Sequence, residues 1–256
     1  MKVARNTRPR PASASNAPFV AIATPVYHSV HPCFTQSLLA TQALLPQHGV
    51  VAQWVFLAGD SLLSRARNIL AACCLANANV SHILWVDGDI AWRAADVLRL
   101  IDHDVDVVCG LYPRKCASDQ GPLGQFVFKP LNGGTGKVPI DSHTGLLEIE
   151  AGGTGFMLAK RQVFEQVAAE YPERKIHHCQ QTERNNPAAM RWHFNFFPVE
   201  VESGSLVGED YGFCNLWRSM GKRIWADPAI QLAHFGSYSY TGNPMDMFEP
   251  LPEQAA

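Results

Sequence analysis

Short apolar runs alternate with segments of helical periodicity along the first 110 residues of the chain. Compact apolar runs that end at polar or turn-forming residues predict four strands, at 19–23, 51–57, 83–86 and 105–110. Apolar side chains that recur every three or four positions predict the intervening helices, at 33–45, 61–77 and 94–101. Strands that alternate with helices favour an α/β fold, with a mostly parallel central sheet and helices on both faces.

The second half of the chain has a less regular pattern, with glycine-rich segments at 132–136 and 152–155. Its predicted strands lie at 156–159 and 224–226, and its first predicted helix lies at 161–169. Another helix is predicted from Gly208 to Gly221, because two acids occupy its first turn and a glycine ends it. The polar, histidine-rich stretch 171–198 is expected to form a long surface loop that could cover a site.

Composition and charge restrict the class of protein. The 256 residues are 47% hydrophobic and 17% charged, which suits a folded globular chain. A net charge of −2 gives no reason to expect nucleic acid as a partner. No apolar stretch approaches the roughly 20 residues that span a bilayer, and the N-terminus lacks a secretion signal. A cytoplasmic protein with at most peripheral membrane contact is therefore expected. The seven cysteines show no C-x-x-C spacing, so neither a disulfide scaffold nor a zinc ribbon is expected.

The apolar run 83–86 ends in two nearby carboxylates, Asp87 and Asp89. Carboxylates two positions apart on an extended segment project to the same side, where together they can hold a divalent cation and the phosphate that it carries. Asp-Gly-Asp is also a common turn sequence, and the tripeptide alone does not distinguish a turn from a site. Its position after a strand of a parallel sheet favours a site, because ligands bind at the carboxyl ends of such strands.

Several short motifs stand in a fixed order along the chain. They are Ser64-Arg-Ala-Arg-Asn68, Asp87-Gly-Asp89, Gly110-Leu-Tyr-Pro-Arg-Lys115, Gly153-Thr-Gly-Phe-Met157, Gly208-Glu-Asp-Tyr-Gly212 and His234. Their ordered set resembles nucleotide-sugar glycosyltransferases of the GT-A fold, of the family-2-like type found in bacteria and viruses. The resemblance implies a single domain at 18–256, with a nucleotide-binding half at about 18–115 and an acceptor half at about 116–245. A disordered tail is expected at 1–17, which is rich in Arg, Pro, Ser and Ala.

The resemblance implies roles for the residues at the metal. Asp89 would ligate Mn²⁺ or Mg²⁺, Asp87 would contact the ribose or the metal, and His234 would add a nitrogen ligand. A divalent cation that bridges the phosphates stabilises the negative charge that grows on a departing nucleoside diphosphate. The donor is accordingly expected to be a UDP- or GDP-linked sugar. A histidine beside Phe235 could equally be a packing residue.

The acid pair after Gly208 would supply the catalytic groups. The resemblance implies that Asp210 is the general base that removes a proton from a hydroxyl of a glycan acceptor, and that Glu209 orients this acceptor. In-line attack by the hydroxyl on the anomeric carbon would invert its configuration. Acids in a first helical turn also stabilise the helix dipole, which is the alternative explanation for the pair.

The resemblance also implies a set of nucleotide contacts, Thr24, Pro25, Arg65 and Asn68. It implies a set of sugar contacts, Lys115, Gly153 and Thr154. A cation such as Lys115 or Arg114 could neutralise the diphosphate, and glycine would allow the backbone to approach a sugar closely. Each set also has a structural explanation. Thr24 and Pro25 could end a strand, and Arg65 and Asn68 could lie on a solvated helix face. Lys115 and Arg114 could be exposed loop cations, and the glycines could form a tight turn.

Two other functions fit parts of this pattern. A sugar-1-phosphate nucleotidyltransferase also binds nucleotide and metal on an α/β sheet, but it needs a glycine-rich, basic phosphate loop. The segment 24–28 contains neither glycine nor lysine. A non-catalytic carbohydrate-binding module on the same fold would not need acids both at 87–89 and at 209–210. The sequence therefore favours an inverting, metal-dependent glycosyltransferase in which the two acid clusters meet at one site.

Overall fold

The computed structural model describes residues 17–115, 125–131, 140–236 and 238–247. Its strands are β1 (Phe19–Val26), β2 (Val51–Ala58), β3 (His82–Val86), β4 (Ile90–Ala91), β5 (Val107–Gly110), β6 (Phe128–Pro130), β7 (Leu147–Gly152), β8 (Phe156–Lys160), β9 (Glu200–Glu202), β10 (Ser205–Val207), β11 (Ile224–Asp227), β12 (Ala233–Phe235) and β13 (Ser239–Thr241). Its helices are α1 (Pro32–Leu44), α2 (Leu63–Ala76), α3 (Ala94–Asp102), α4 (Arg161–Glu170), α5 (Gln180–Asn185) and α6 (Glu209–Ser219). The expected tail at 1–17, apart from its last residue, and the glycine-rich segment 132–136 lie outside the described residues.

A large sheet forms the centre of the molecule, with strand order β2-β1-β3-β8-β5-β11-β7-β6. Within it β1, β2, β3, β5 and β11 run in one direction, whereas β8 and β7 run in the opposite direction. The predicted α/β class and mostly parallel central sheet are therefore confirmed. The sequence did not predict the direction of β8, because a fully buried apolar strand has no polar face that distinguishes the two directions.

The helices cover both faces of this sheet, as predicted. Successive side chains of a strand point to opposite faces. Accordingly, Ala21 of β1 and Trp85 of β3 contribute to the hydrophobic layer that includes α2, α4 and α6. Their neighbours Ile22 and Leu84 contribute to the layer that includes α1 and α3. The buried strands thus separate two hydrophobic cores, and the carboxyl ends of the parallel strands lie at one edge of the sheet.

The strands and helices predicted from the sequence are all present, with ends that differ by up to three residues. The structure adds elements that were not predicted from the sequence, including β6, β7, the β9-β10 hairpin and the small sheet of β4, β12 and β13. Across the described parts of the chain, none of the helices has the length and apolarity needed to cross a bilayer.

The segment 171–198 is folded into the core at its end, so the expectation of a surface loop is wrong there. Phe196 and Phe197 are completely buried, and their rings pack on aromatic rings of α4 and α6. Helix α2 holds this end in place. Ser64 Oγ donates to the Phe197 carbonyl at 2.5 Å, and the Phe197 N–H donates to Asn68 Oδ1 at 3.0 Å. The segment therefore connects α2 to α6 rather than covering them loosely.

We expect Gly212→Ala to destabilise the fold, although glycine in a helix interior ordinarily costs about 0.5–1 kcal/mol relative to alanine. A Cβ at Gly212 would lie 2.1 Å from the Pro198 carbonyl oxygen, a main-chain atom that cannot rotate away. The added contact should lower the free energy of unfolding by about 1–3 kcal/mol, measured by urea denaturation.

Gly208→Ala is the matched control at the start of the same helix. The nearest atom to a Cβ there would be Asp210 Oδ1 at 3.4 Å, an ordinary van der Waals contact. Alanine is a poorer N-cap than glycine but causes no clash here, so this variant should lose at most about 1 kcal/mol. Equal stability of Gly212→Ala and wild type would contradict the close approach of α6 to Pro198.

Candidate active site

A cavity of about 790 Å³ opens where β1, β2 and β3 end. Its wall consists of the last two residues of β1, residues that follow β1, β2 and β3, the first residue of α2, and two residues from later in the chain. Ligands of open α/β sheets bind at this edge, and the volume falls in the range of about 300–1,000 Å³ that is usual for small-molecule sites. Five residues assigned from the sequence line the cavity: Pro25, Asp87, Asp89, Lys115 and His234.

Asp87 is fixed by both its backbone and its side chain. Its N–H donates to the Gly155 carbonyl at 3.1 Å, and its carbonyl accepts from the Ile90 N–H at 3.1 Å. One carboxylate oxygen accepts from Arg67 Nη2 at 3.0 Å. The carboxylate is therefore held between the end of β3 and the buried face of α2, with about a quarter of the side chain exposed to the cavity (26%).

Asp89 has one oxygen in an ion pair and one without a hydrogen bond. Lys115 Nζ contacts Oδ2, whereas Oδ1 is buried without a hydrogen-bond partner. Burial alone would raise the pKa of Asp89, but the adjacent His234 and Lys115 outweigh it, so the pKa lies below its usual value. Asp89 is therefore an anion at neutral pH, with a lone pair of Oδ1 available.

His234 on β12 directs one ring nitrogen toward Asp89. Its Nδ1 lies 2.7 Å from the Pro113 carbonyl oxygen, which can only accept. Nδ1 therefore carries a hydrogen in either charge state, and Nε2 carries a second hydrogen when the ring is cationic and a lone pair when it is neutral. Nε2 lies 3.5 Å from Asp89 Oδ1. The edge of the ring packs against Tyr112, with the centroids 5.2 Å apart, which further fixes its orientation.

Asp89 Oδ1 and His234 Nε2 are the pair of donor atoms that fits a divalent cation. A carboxylate oxygen and an imidazole nitrogen suit Mn²⁺, and an imidazole held through its other nitrogen is the usual form of a metal ligand. Asp87 is directed to Arg67 instead. Within the residues that the structure describes, no group of three or more His, Cys, Asp and Glu side chains is arranged to hold a metal ion. The protein would thus supply two ligands, and water or ligand oxygens the others.

The acid pair begins α6. Glu209 Oε1 accepts from Arg67 Nε at 3.3 Å, whereas Asp210 Oδ1 accepts from the Tyr211 N–H at 2.8 Å. Burial and the adjacent Glu209 raise the pKa of Asp210 to about 6, despite the opposing effects of the Tyr211 N–H and Arg67. A carboxyl group with this pKa is well suited to exchange a proton near neutral pH.

Arg67 brings the two acid clusters together. One guanidinium contacts Asp87, which follows β3, and Glu209, which begins α6. The side chain of Arg67 is only 2% exposed, so the contact is an internal one. Arg67 was not among the residues predicted from the sequence to contact the nucleotide, whereas its neighbours Arg65 and Asn68 were. A signal was present, because Arg67 shares a helical stripe with the apolar residues at positions 70, 71 and 74.

Three residues assigned to the nucleotide lie outside the cavity wall. Thr24 is completely buried, and its hydroxyl has no hydrogen-bond partner. Arg65 is 53% exposed and pairs at 2.8 Å with Asp60, which does line the cavity. Asn68 is buried; its amide nitrogen donates to Asn195 Oδ1 at 2.9 Å, and its amide oxygen accepts from the main chain of the same segment. Their contact with a nucleotide stays a prediction.

The glycines at 153 and 155 make room for Tyr112, a second residue that the sequence analysis missed. A Cβ at Gly153 would lie 2.1 Å from the Tyr112 hydroxyl oxygen, and one at Gly155 would lie 2.7 Å from its ring. The Gly155 N–H donates to this oxygen at 3.2 Å. Burial, followed by the charges of Asp87 and Asp210, raises the pKa of Tyr112 well above its usual value. Thr154 between the glycines is buried, with a hydroxyl that has no partner.

No protein-family model matches this chain, and no curated protein matches it either. Among solved structures it is similar to A197 from STIV, with a TM-score of 0.53 and 15% identity over 92% of this chain and 99% of that chain. It is also similar to the catalytic domain of Drosophila β1,4-galactosyltransferase 7 in complex with xylobiose, with a TM-score of 0.34 and 15% identity over 59% of this chain and 52% of that chain. A glycosyltransferase involved in the glycosylation of the major capsid of PBCV-1 matches with a TM-score of 0.28 and 11% identity, over 64% of this chain and 75% of that chain. The similarity to A197 covers nearly all of both chains, and it shows that the two share a fold.

Proposed function

We propose that this protein is a glycosyltransferase of the GT-A type. It transfers a sugar from a UDP- or GDP-linked donor to a hydroxyl of a glycan, with a divalent cation and with inversion at the anomeric carbon. One observation supports this most: Arg67 joins Asp87, at a cavity of small-molecule size, to Glu209 beside an aspartate of raised pKa. Neither cluster alone would distinguish transfer from simple binding.

The donor would occupy the cavity beside Asp89 and His234. Breaking the bond between the anomeric carbon and the diphosphate leaves the electron pair on a phosphate oxygen, so negative charge grows there. Mn²⁺ or Mg²⁺ held by these two residues would stabilise that charge when bound. Lys115, which pairs with Asp89 in this structure, is a second cation at the same end of the cavity. It would add a second positive charge for the phosphates.

Asp210 would act on the acceptor. One of its oxygens is engaged by the Tyr211 N–H, which leaves the other for the hydrogen of an incoming hydroxyl. As the acceptor oxygen forms its bond to the anomeric carbon, the proton passes to Asp210 and the donor bond breaks on the opposite face. Glu209 is tied to Arg67 and would orient the acceptor rather than take the proton.

The basic test is a screen of UDP- and GDP-linked sugars with Mn²⁺, in which release of the nucleoside diphosphate is measured with and without a panel of oligosaccharides. Proton NMR of the product then gives the anomeric configuration. Release of pyrophosphate from a nucleoside triphosphate and a sugar-1-phosphate would instead identify a nucleotidyltransferase. Sugar binding without nucleotide, measured by calorimetry, would identify a carbohydrate-binding module.

Asp210→Asn should lower the rate of transfer by at least about 10²-fold, because a general base contributes about 10²–10⁴-fold. In wild type the rate should rise with pH through about 6, where Asp210 loses its proton. Asp106→Asn is a matched control, because this carboxylate accepts a hydrogen bond from Gln162 near the opposite end of the sheet. Wild-type turnover by Asp210→Asn, with unchanged UDP binding, would rule out Asp210 as the base.

The same substitution should stabilise the protein at pH 7–8. A folded-state pKa of about 6 against an ordinary 3.8 means that ionising Asp210 costs stability, which is lost as the pH rises through about 6. Asp210→Asn removes this cost, so its melting temperature should exceed that of wild type at pH 8 and match it near pH 4.

Mn²⁺ binding should depend on Asp89 and His234. Asp89→Ala and His234→Ala should each weaken Mn²⁺ affinity at least about tenfold, measured by calorimetry in the presence of UDP. His103→Ala is a control for loss of an imidazole, because His103 contacts Asp227 instead. Unchanged Mn²⁺ affinity in both site variants would rule out Asp89 and His234 as the metal ligands.

Lys115→Met should have the opposite effect on the metal. Its ammonium group pairs with Oδ2 of Asp89 in this structure, and its positive charge competes electrostatically with a cation bound at Oδ1 of the same carboxylate. Mn²⁺ affinity should therefore increase severalfold in the free protein, while UDP affinity in saturating Mn²⁺ falls. Lys129→Met, which removes a similar pair with Glu150 at 2.5 Å, should change neither affinity. Weaker Mn²⁺ binding by Lys115→Met would contradict this competition.

A further inference from the structure

Arg67 is costly as a purely structural residue. Its side chain is almost inaccessible, and burying a charge costs several kcal/mol before its partners compensate. One of its terminal nitrogens, Nη1, is buried without a hydrogen-bond partner. An apolar residue of similar volume often stabilises a protein core at least as well as a buried ion pair. Stability alone therefore does not explain an arginine on the apolar stripe of α2.

The position of Arg67 explains it better. Its planar fork reaches Asp87 through Nη2 at 3.0 Å and Glu209 through Nε at 3.3 Å. These carboxylates belong to different elements, the turn after β3 and the first residue of α6. Because both nitrogens belong to one rigid plane, the distance between the two carboxylates is fixed, which the flexible ammonium of a lysine cannot achieve.

The groups around Arg67 differ in whether they pair with its guanidinium. Asp87 and Glu209 form ion pairs with it, Tyr112 and Trp85 pack nearby without a formal charge, and Asp210 forms no bond with it. A single cation thus faces three carboxylates and engages two. Glu209 is held in place by the guanidinium, whereas Asp210 forms no ion pair with it.

We propose that Arg67 is a positioning residue that fixes the donor-side Asp87 against the acceptor-side acids and reserves Asp210, rather than Glu209, for the proton of the acceptor. The inference rests on the proposed transfer reaction, which it deepens. It separates two contributions of Arg67: a positive charge, which a lysine retains, and a two-armed geometry, which a lysine loses.

The charge contribution is tested in the free protein, without any substrate. The carboxyl carbon of Asp210 is followed by ¹³C NMR as the pH is changed. Arg67→Gln should raise the pKa of Asp210 from about 6 to above about 7, because Asp87 and Glu209 then face it without a counter-charge. Glu209→Gln should lower it to about 5, and Arg67→Lys should leave it near the wild-type value.

The geometric contribution is tested by turnover with the donor that the screen of UDP- and GDP-linked sugars identifies. Arg67→Lys should lower kcat by about 10- to 100-fold and change the KM for the donor by less than about threefold. In a Glu209→Gln background the same substitution should cost less, because one arm of the clamp is already lost.

Arg161→Lys is the matched control. This arginine is also largely buried (17% exposed), but it donates to main-chain carbonyls of residues 75 and 77 and pairs with Glu165, near the opposite end of β3. It should lower the melting temperature without changing kcat or the pKa of Asp210. Glu209→Gln provides the pKa test if the Arg67 variants fail to fold.

The inference is overturned if Arg67→Lys keeps the wild-type kcat, if Arg161→Lys loses kcat to the same extent, or if the two pKa changes at Asp210 do not occur in opposite directions. If the wild-type protein transfers no sugar but the variants show both pKa changes at Asp210, the proposed function is overturned. That result would leave the positioning of the acids by Arg67 in place.

Discussion

A buried guanidinium between two carboxylates is the interaction on which the rest of the site depends. Without a cation at the position of Arg67, the negative charges of Asp87, Glu209 and Asp210 would face one another across a largely buried region. The fold therefore has to hold α2 in one place. It does so through apolar contacts with the sheet and through Ser64 and Asn68, which bond to the segment before Pro198. That segment in turn packs against α6.

The strands and helices of the central sheet could be predicted from the sequence, because buried strands and amphipathic helices leave a periodic pattern within a short window of residues. The sequence also located both acid clusters, since acids at the end of an apolar strand or in a first helical turn stand out. Arg67 was missed because an arginine next to Arg65 and Asn68 suggests a solvated helix face. Its helical spacing places it on the apolar stripe, but only the folded structure shows the carboxylates that make a buried arginine possible there. Tyr112 was missed likewise, because its space is created by glycines some forty positions away.

The segment 171–198 shows a different limit of local reading. Its polar composition does not reveal the short helix α5 or the 3-10 helices on either side of it. The burial of Phe196 and Phe197 likewise depends on contacts with α4 and α6 that no short window contains. Strand direction is another long-range property. β8 is as apolar as the parallel strands beside it, and its reversed direction follows from its pairing with β3 and β5. Roles in binding and catalysis are still harder to predict from the sequence, because they depend on ligands that bind from solution.

The place of β8 has a consequence for how the chain is made. During synthesis β3 emerges soon after β1 and β2, but its second neighbour begins only at Phe156. Until then one edge of β3 exposes unpaired main-chain groups beside Leu84 and Trp85, which are completely buried in the finished protein. Such an edge can pair with a second nascent chain. Production of this protein should therefore benefit from slow translation or chaperones, and aggregates of chains truncated before β8 should form through the strand that carries Trp85.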